Sequence, residues 1–318
     1  MSTKKIILDL DTGIDDALAI AYCLGSKDAE LVGVTCTYGN VLVETSVRNT
    51  LAILHLFGRD DVPVCKGFSH SRASEGFEVS PVCAMVHGTN GIGEVQIPDS
   101  PRGVEETAAV DFLIEAAQTY GKDLVYVPTG TLTTLAAVLE KDPTFKDKIG
   151  DIVMMGGALT VDGNTSPASE CNIQGDPEAA DLVFKSGAEI TMVGLDVTHQ
   201  TLLTKKETAQ WREVGTSAAK FLADMTDYYI DFEIQDSGLA GCGLHDPLAM
   251  AVALDNTLVK TFGVNLHVNL EGDLRGRTIG DHMRLNDPHK TVQAAIEVDV
   301  PAFMERFMER TTELVRAH

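Results

Sequence analysis

Short apolar runs alternate with amphipathic segments through the first two hundred residues of this 318-residue chain. The apolar runs have the length of strands, and the segments between them have the length of helices. The predicted strands span residues 6–8, 32–37, 62–65, 124–127, 152–155 and 189–195, and the predicted helices span residues 44–57, 104–120, 133–140 and 177–185. Strands separated in this way form βαβ units, in which a parallel sheet is buried on both faces. The sequence therefore predicts the α/β class, with an open, mainly parallel, Rossmann-like sheet flanked by helices.

The pattern changes after about residue 200, where extra helices and strands are expected. Residues 205–232 are predicted to form one or two long helices, and further helices are predicted at 246–254 and 301–317, with strands at 264–270, 277–283 and 293–298. No linker, repeat or low-complexity tract divides the chain. We therefore expect a single domain over residues 1–318.

The charge balance narrows the choice of partner. The chain has 25 basic and 47 acidic residues, a net charge of −22. Such a surface repels polyphosphates, so nucleic acid is not expected as a partner. A neutral or cationic small ligand would be admitted more easily.

Neither a targeting sequence nor a membrane span is predicted. The first residues lead directly into a strand without the apolar stretch of a signal peptide. No segment reaches the roughly 20 apolar residues needed to cross a bilayer. Six cysteines lack CxxC or metal-finger spacing, which favours reduced, buried thiols. A cytoplasmic location is expected.

Four acidic residues fall within eight positions directly behind the first apolar run: Asp9, Asp11, Asp15 and Asp16. A strand, a glycine turn and a helix start are the geometry that presents ligands at the carboxyl end of a parallel sheet. Carboxylates crowded there repel one another unless a cation lies between them, and a hard divalent ion would neutralise them. Alternatively, Asp15 and Asp16 only favour the positive end of the following helix.

Further polar residues follow the other predicted strands. These candidates are Asn40, Thr129, Asn164, Glu170 and Asn172, together with the adjacent pair His245 and Asp246. Individually, each Asn or Glu is better explained as a turn residue than as a ligand, whereas His245 and Asp246 favour neither interpretation. Asp246, before Pro247, is a good candidate for a helix N-cap, and His87 is expected in a polar loop. The glycines of residues 238–243 lack dinucleotide-binding spacing.

Taken in order, these segments resemble the calcium-dependent nucleoside hydrolases of the inosine–uridine-preferring type. The resemblance covers nearly the whole chain. It rests on residues 9–16, 38–40, 87–88, 128–130, 155–158, 164–172, 176–180 and 245–247.

The resemblance implies a Ca²⁺ cofactor and a ribonucleoside substrate. It assigns Ca²⁺ ligands to Asp11, Asp16 and Asp246 through carboxylates and to Thr129 through its carbonyl. Asp11 is also the implied general base toward a metal-bound water, and His245 the implied proton donor to the departing base. Asp15, Asn164, Glu170 and Asn172 are implied ribose ligands, with Asn40, His87 and Met155 also in the substrate site. A homodimer or homotetramer is implied as well.

This distribution agrees with the chemistry. Breaking an N-glycosidic bond builds positive charge on the ribose, which carboxylates and amide oxygens stabilise. The chain departs from the family pattern at Thr12, where proline is usual, and at Cys171, where an aromatic residue often lies near the substrate. Either Tyr228 or Tyr229 could supply an aromatic partner for the base. The base preference is left open.

Two rival functions remain. Residues 9–13 also resemble the first motif of haloacid-dehalogenase-type phosphatases, in which Asp9 would be the nucleophile and Mg²⁺ the metal. That reading leaves Asp15, Asp16, Asn172 and His245 without a role. A non-catalytic ribose- or calcium-binding protein is the other alternative.

Overall fold

The computed structural model describes residues 3–236 and 238–318, and its centre is an eight-stranded sheet. The sheet strands in chain order are β1 (Lys4–Leu10), β2 (Ala29–Cys36), β3 (Val64–Lys66), β4 (Leu124–Pro128), β5 (Asp151–Met155), β6 (Ile190–Val193), β9 (Val259–Val264) and β12 (Val292–Val298). Their order across the sheet is β3-β2-β1-β4-β5-β6-β12-β9. All neighbours are parallel except β9, which runs antiparallel to β12 at one edge. The predicted open, mainly parallel sheet is confirmed.

Helices cover both faces of this sheet. They are α1 (Ile14–Leu24), α2 (Val43–Leu56), α3 (Pro81–His87), α4 (Ala109–Tyr120), α5 (Thr133–Lys141), α6 (Phe145–Lys148), α7 (Cys171–Gly175), α8 (Pro177–Lys185), α9 (Leu195–Thr198), α10 (Lys205–Val214), α11 (Ser217–Asp236), α12 (His245–Leu254) and α13 (Val300–Arg316). Along β1, Ile6 and Leu8 pack into one buried cluster and Ile7 into the other. This alternation is the period of a strand that is buried on both sides.

Two small antiparallel strand pairs lie outside the central sheet. They are β7 (Leu202–Leu203) with β8 (Cys242–Gly243), and β10 (Leu266–Val268) with β11 (Thr278–Gly280). A Cβ at Gly241 would lie 2.2 Å from the carbonyl oxygen of Leu203. The glycine-rich segment therefore permits close backbone approach, which is a structural use of glycine.

Several predicted elements differ from the structure. The helix expected from residue 104 begins at Ala109, because the Glu105 N–H is engaged by the Val64 carbonyl at 2.8 Å and forms a strand-like bridge there. The strand predicted for residues 264–270 is interrupted at Asn265, whose side chain donates to carbonyls of the chain beyond β11. The extra strand β9 was not predicted.

Two local predictions at the candidate site were wrong. His87 is the last residue of helix α3, which starts at Pro81 after the capping hydroxyl of Ser80, and it does not lie in a loop. Asp246 is the second residue of α12 rather than its N-cap, because the Leu244 carbonyl accepts the first helical hydrogen bond from Leu248.

Among the described residues, no helix combines the length and the apolar character needed to span a membrane.

Candidate active site

The candidate site lies where the strand order of the sheet reverses, between β1 and β4. In open α/β sheets this crevice, at the carboxyl ends of the strands, is where ligands bind. Asp11 follows β1, Thr129 follows β4, and Asn40 lies a few residues beyond β2. A cavity of about 450 Å³ opens here.

Most of the predicted site residues line this cavity. They are Asp15, Asn40, His87, Thr129, Met155, Asn164, Glu170, Asn172, His245 and Asp246. The two remaining predictions, Asp11 and Asp16, are buried beside the lining residues. Thus the fold gathers residues separated by more than two hundred positions into one pocket.

Three of the acidic residues lie close enough to share a cation. Ligand atoms of Asp15, Asp16 and Asp246 all lie within 4.8 Å of one another, and the three residues are buried. The family resemblance implied a role for Asp15 toward the sugar rather than toward the metal. Its place in this cluster is compatible with either role.

Asp16 and Asp11 are held by the turns around them. Asp16 accepts hydrogen bonds from the Gly13 N–H at 2.8 Å and from the Thr129 hydroxyl at 3.0 Å. Asp11 accepts one from the Asn40 N–H at 2.5 Å through Oδ2. A Cβ at Gly39 would lie 2.1 Å from this oxygen, and Gly39 has a φ of 158°. Glycine is required there by close approach to the carboxylate.

Three buried carboxylate oxygens at the site have no hydrogen-bond partner among the described residues: Asp11 Oδ1, Asp15 Oδ1 and Asp246 Oδ2. Burial raises the pKa of Asp15 and of Asp16 to about 6. Burial, followed by repulsion from Asp16, raises the pKa of Asp11 well above its ordinary value. Buried charge without a partner is costly, and a cation is the group that would compensate it. The donor set fits a hard divalent metal ion because every available ligand atom is oxygen.

Asp9 differs from its three neighbours. Its Oδ1 accepts from the Thr35 hydroxyl and its Oδ2 from the Tyr126 hydroxyl, each at 2.7 Å. Both carboxylate oxygens are therefore engaged inside the sheet, and Asp9 is absent from the cavity lining. This position suits a structural acid and not an attacking nucleophile.

The predicted sugar ligands are organised by the segment that precedes α8. Glu170 is the N-cap of α7, accepting from the N–H groups of Asn172 at 2.8 Å and Ile173 at 3.1 Å, and it also accepts from the Gly157 N–H at 2.9 Å. Asn164 accepts from the Cys171 N–H at 3.0 Å. These polar side chains therefore fix the backbone that presents them to the cavity.

Two histidines face the cavity in neutral form. The Ile14 N–H donates to Nδ1 of His87 at 3.1 Å, so the proton of the neutral ring lies on Nε2. Burial lowers the pKa of His87 to about 4 and that of His245 to about 3. Nδ1 of His245 lies 2.8 Å from the Thr198 hydroxyl.

The structure distinguishes the two tyrosines that the sequence left open. Tyr229 is buried, lines the cavity, and its ring centroid lies 5.8 Å from that of His87. Tyr228 is absent from the lining. Phe232 also lines the cavity, one helical turn after Tyr229.

Other lining residues were missed by the sequence analysis. They include Ser80, Val82, Cys83 and Val86 around α3, His199 and Leu202, and Leu239. The Ser80-Pro81 pair is a helix-start signal that could have located α3. His199 and Leu202 carried no local signal.

At Thr12 the structure accommodates the departure from the family pattern. The Thr12 N–H donates to the Ser46 hydroxyl at 3.1 Å, and its own hydroxyl lies 2.7 Å from that of Thr50. A proline has no N–H to donate, so the turn is held here by a different set of contacts.

Comparison with known proteins agrees with this geometry. The profile of the inosine-uridine preferring nucleoside hydrolases matches residues 6–305. A probable uridine nucleosidase 2 of Arabidopsis thaliana is 36% identical over 318 residues, covering 98% of each chain. The inosine-uridine preferring nucleoside hydrolase of Crithidia fasciculata is 33% identical, covering 94% of this chain and 95% of its own.

A solved structure is also similar to this fold. The purine-preferring ribonucleoside hydrolase from Gardnerella vaginalis superposes with a TM-score of 0.97 at 59% identity, covering 99% of this chain and 100% of its own. The chain belongs to the inosine-uridine preferring nucleoside hydrolase family and is an N-ribosyl hydrolase that acts on ribonucleosides. The haloacid-dehalogenase alternative is not supported.

Proposed function

We propose that this chain hydrolyses the N-glycosidic bond of ribonucleosides with Ca²⁺ as its cofactor. Asp11, Asp16 and Asp246 would hold the ion through carboxylates, and Thr129 would hold it through its carbonyl. The observation that carries this proposal is the set of buried, unpartnered oxygens on Asp11, Asp15 and Asp246. When bound, the ion would acidify a water molecule and orient the ribose hydroxyls.

Asp11 is the proposed general base. The Asn40 N–H holds one of its oxygens, so the carboxylate has a fixed orientation and its Oδ1 is left to accept a proton. A base positioned in this way lowers the barrier for attack by water.

The sugar is bound by Asp15, Asn164, Glu170 and Asn172, with Asn40 and Met155 beside them. Their carboxylates and amide oxygens face a ribose that becomes positively charged as the bond breaks. Because these groups are already held by backbone hydrogen bonds, they stabilise that charge with little reorganisation.

His245 is the proposed partner of the departing base. Its Nδ1 is paired with Thr198, so Nε2 is the nitrogen available to the base. His87 and Tyr229 lie next to each other on the same cavity. The two rings are inclined at 44°, and the face of either one could stack against a base.

We further propose that purine ribonucleosides are preferred over uridine. The support is the 59% identity to a relative described as purine-preferring, set against 36% to one named as a uridine nucleosidase. The cavity wall formed by Val82, Tyr229, Phe232 and Leu239 provides apolar area for a two-ring base.

The test is a panel of inosine, guanosine, adenosine, uridine and cytidine, with kcat/KM measured before and after chelation and after Ca²⁺ is restored. We expect free base and ribose from the purine nucleosides, loss of turnover on chelation, and recovery with Ca²⁺. Full activity in the chelated protein would refute the metal requirement. Higher kcat/KM for uridine would refute the base preference.

We also propose that the 318 residues act as one domain in a cytoplasmic homodimer or homotetramer. Met283 and Leu285 are 80% and 72% exposed, and they are candidates for burial by a second copy. Light scattering coupled to gel filtration will measure the mass.

A further inference from the structure

Two cysteines differ from the other four because they line the active-site cavity. Cys23, Cys36, Cys65 and Cys242 are buried, whereas Cys83 and Cys171 are half-buried and accessible from the cavity. Cys83 belongs to α3 and Cys171 begins α7. The expectation of buried thiols therefore describes the other four cysteines and not this pair.

The two side chains contact each other although 88 positions separate them. Both side chains line the same cavity, and hydrogen bonding between the two thiols is the largest influence on the pKa of each. A disulfide requires its sulfur atoms to approach to about 2 Å, so α3 and α7 must bring the two thiols together for the bond to form.

The contact also activates one of the thiols. The hydrogen bond from Cys171 lowers the pKa of Cys83 to about 6, against the opposing effect of burial. A lowered pKa increases the fraction of Cys83 that is thiolate, which is the form that attacks a disulfide.

We propose that Cys83 and Cys171 are a redox modification site that forms an intramolecular disulfide with a low-molecular-weight disulfide as oxidant. The Cys83 thiolate attacks one sulfur of the oxidant, whose S–S bond breaks and releases one thiolate. Cys171 then gives its proton to solvent and attacks the Cys83 sulfur, expelling the second thiolate. In total, two protein thiols are oxidised and one disulfide is reduced to two thiols.

The new bond would close the cavity. It ties α3, which ends in His87, to α7, which carries Asn172, and both of these residues line the pocket. Entry and release of a nucleoside would then be hindered until the bond is reduced. This consequence rests on the proposed nucleoside site, whereas formation of the bond does not.

The test uses the full, metal-loaded protein treated with oxidised glutathione. We expect peptide mapping by mass spectrometry to find Cys83 linked to Cys171. We also expect most of the nucleoside hydrolysis to be lost and to return on addition of dithiothreitol. The ratio of oxidised to reduced activity is compared within each variant, because both cysteines touch the substrate cavity.

Cys83→Ser and Cys171→Ser are expected to give no linked peptide and a ratio near one. Cys65→Ala, which removes a buried thiol on the edge strand β3, is the control and keeps the wild-type response. Failure to find the linked peptide, or equal sensitivity of Cys83→Ser and wild type, would overturn the site. If the disulfide forms and the rate of nucleoside hydrolysis is unchanged, the proposal that the bond closes the cavity would be overturned. A reduced enzyme that fails to cleave nucleosides would count against the proposed function instead.

Discussion

The side-chain amide of Asn172 donates a 2.6 Å hydrogen bond to the backbone carbonyl of Thr129. This bond joins α7 to the residue that follows β4. The carbonyl has a second lone pair, which is the one proposed to face the cation. Asn172 therefore orients the Thr129 carbonyl, a proposed metal ligand, although Asn172 is not itself proposed to bind the metal.

Asn172→Ala is expected to lower both the affinity for Ca²⁺ and the turnover, because the Thr129 carbonyl loses the donor that orients it. Removal of such an outer contact typically costs about 10- to 100-fold. The measurement is activity as a function of free Ca²⁺. Gln174→Ala is the matched control, since Gln174 lies on the same helix but accepts from Ser169. Equal effects of the two substitutions would contradict the assignment.

Asp11→Asn is expected to lower kcat by roughly a hundredfold to ten-thousandfold, which is the usual contribution of a general base. Asp9→Asn keeps most of the turnover, because both carboxylate oxygens of Asp9 accept hydrogen bonds inside the sheet, from Thr35 and from Tyr126. Steady-state kinetics with circular dichroism as a fold check will compare the two variants. A larger loss of turnover in Asp9→Asn than in Asp11→Asn would contradict the roles given to these two residues.

Calcium is expected to stabilise the metal-free protein against heat, because a bound cation relieves repulsion among Asp11, Asp15, Asp16 and Asp246. At a free concentration a hundred times the Kd, binding contributes about 2.7 kcal/mol. Differential scanning fluorimetry of chelated protein across a Ca²⁺ series will record the shift in Tm. Asp246→Asn should lose most of that shift, and an unchanged shift would exclude Asp246 as a ligand.

Stability below pH 4 is expected to depend on Asp255, which lies between α12 and α13. Hydrogen bonds from Thr257, and then from Arg306, lower its pKa from 3.8 to about 2. Because the folded pKa is below the ordinary value, the ionised carboxylate stabilises the fold above about pH 4, and this contribution is lost as the pH falls through about 2.

Asp255→Asn should therefore reduce the free energy of unfolding at pH 7, by about 1 kcal/mol, since the carboxylate is partly exposed. Urea titrations at pH 7 and at steps below pH 4 will measure the gap between variant and wild type. The gap should narrow with acid. A gap that is constant across this range would show that charge plays no part.

The strand ends could be predicted from the sequence because a parallel strand is a continuous apolar run with a clear boundary. Asp11 and Thr129 were placed at the sheet edge on that basis, and the structure has them directly after β1 and β4. The helices α3 and α7 could not be predicted in this way. At seven and five residues they are too short to show an amphipathic period.

The pairing of strands that are distant in sequence also could not be predicted from local patterns. Strand β12, near the end of the chain, pairs in parallel with β6, and β9 closes the edge in the opposite direction. Neither neighbour is implied by adjacency in sequence. The convergence of His245 with His87 depends on packing of this kind, so it followed from family resemblance rather than from spacing.

Glu170 links two properties that are usually separable when an enzyme is redesigned. Its carboxylate both lines the cavity and accepts the N–H groups that start α7. A substitution made to admit a different sugar would therefore also loosen the loop that shapes the pocket. Directed evolution toward new sugars should make slow progress at position 170, and faster progress at neighbours such as Asn164 that accept a single backbone hydrogen bond.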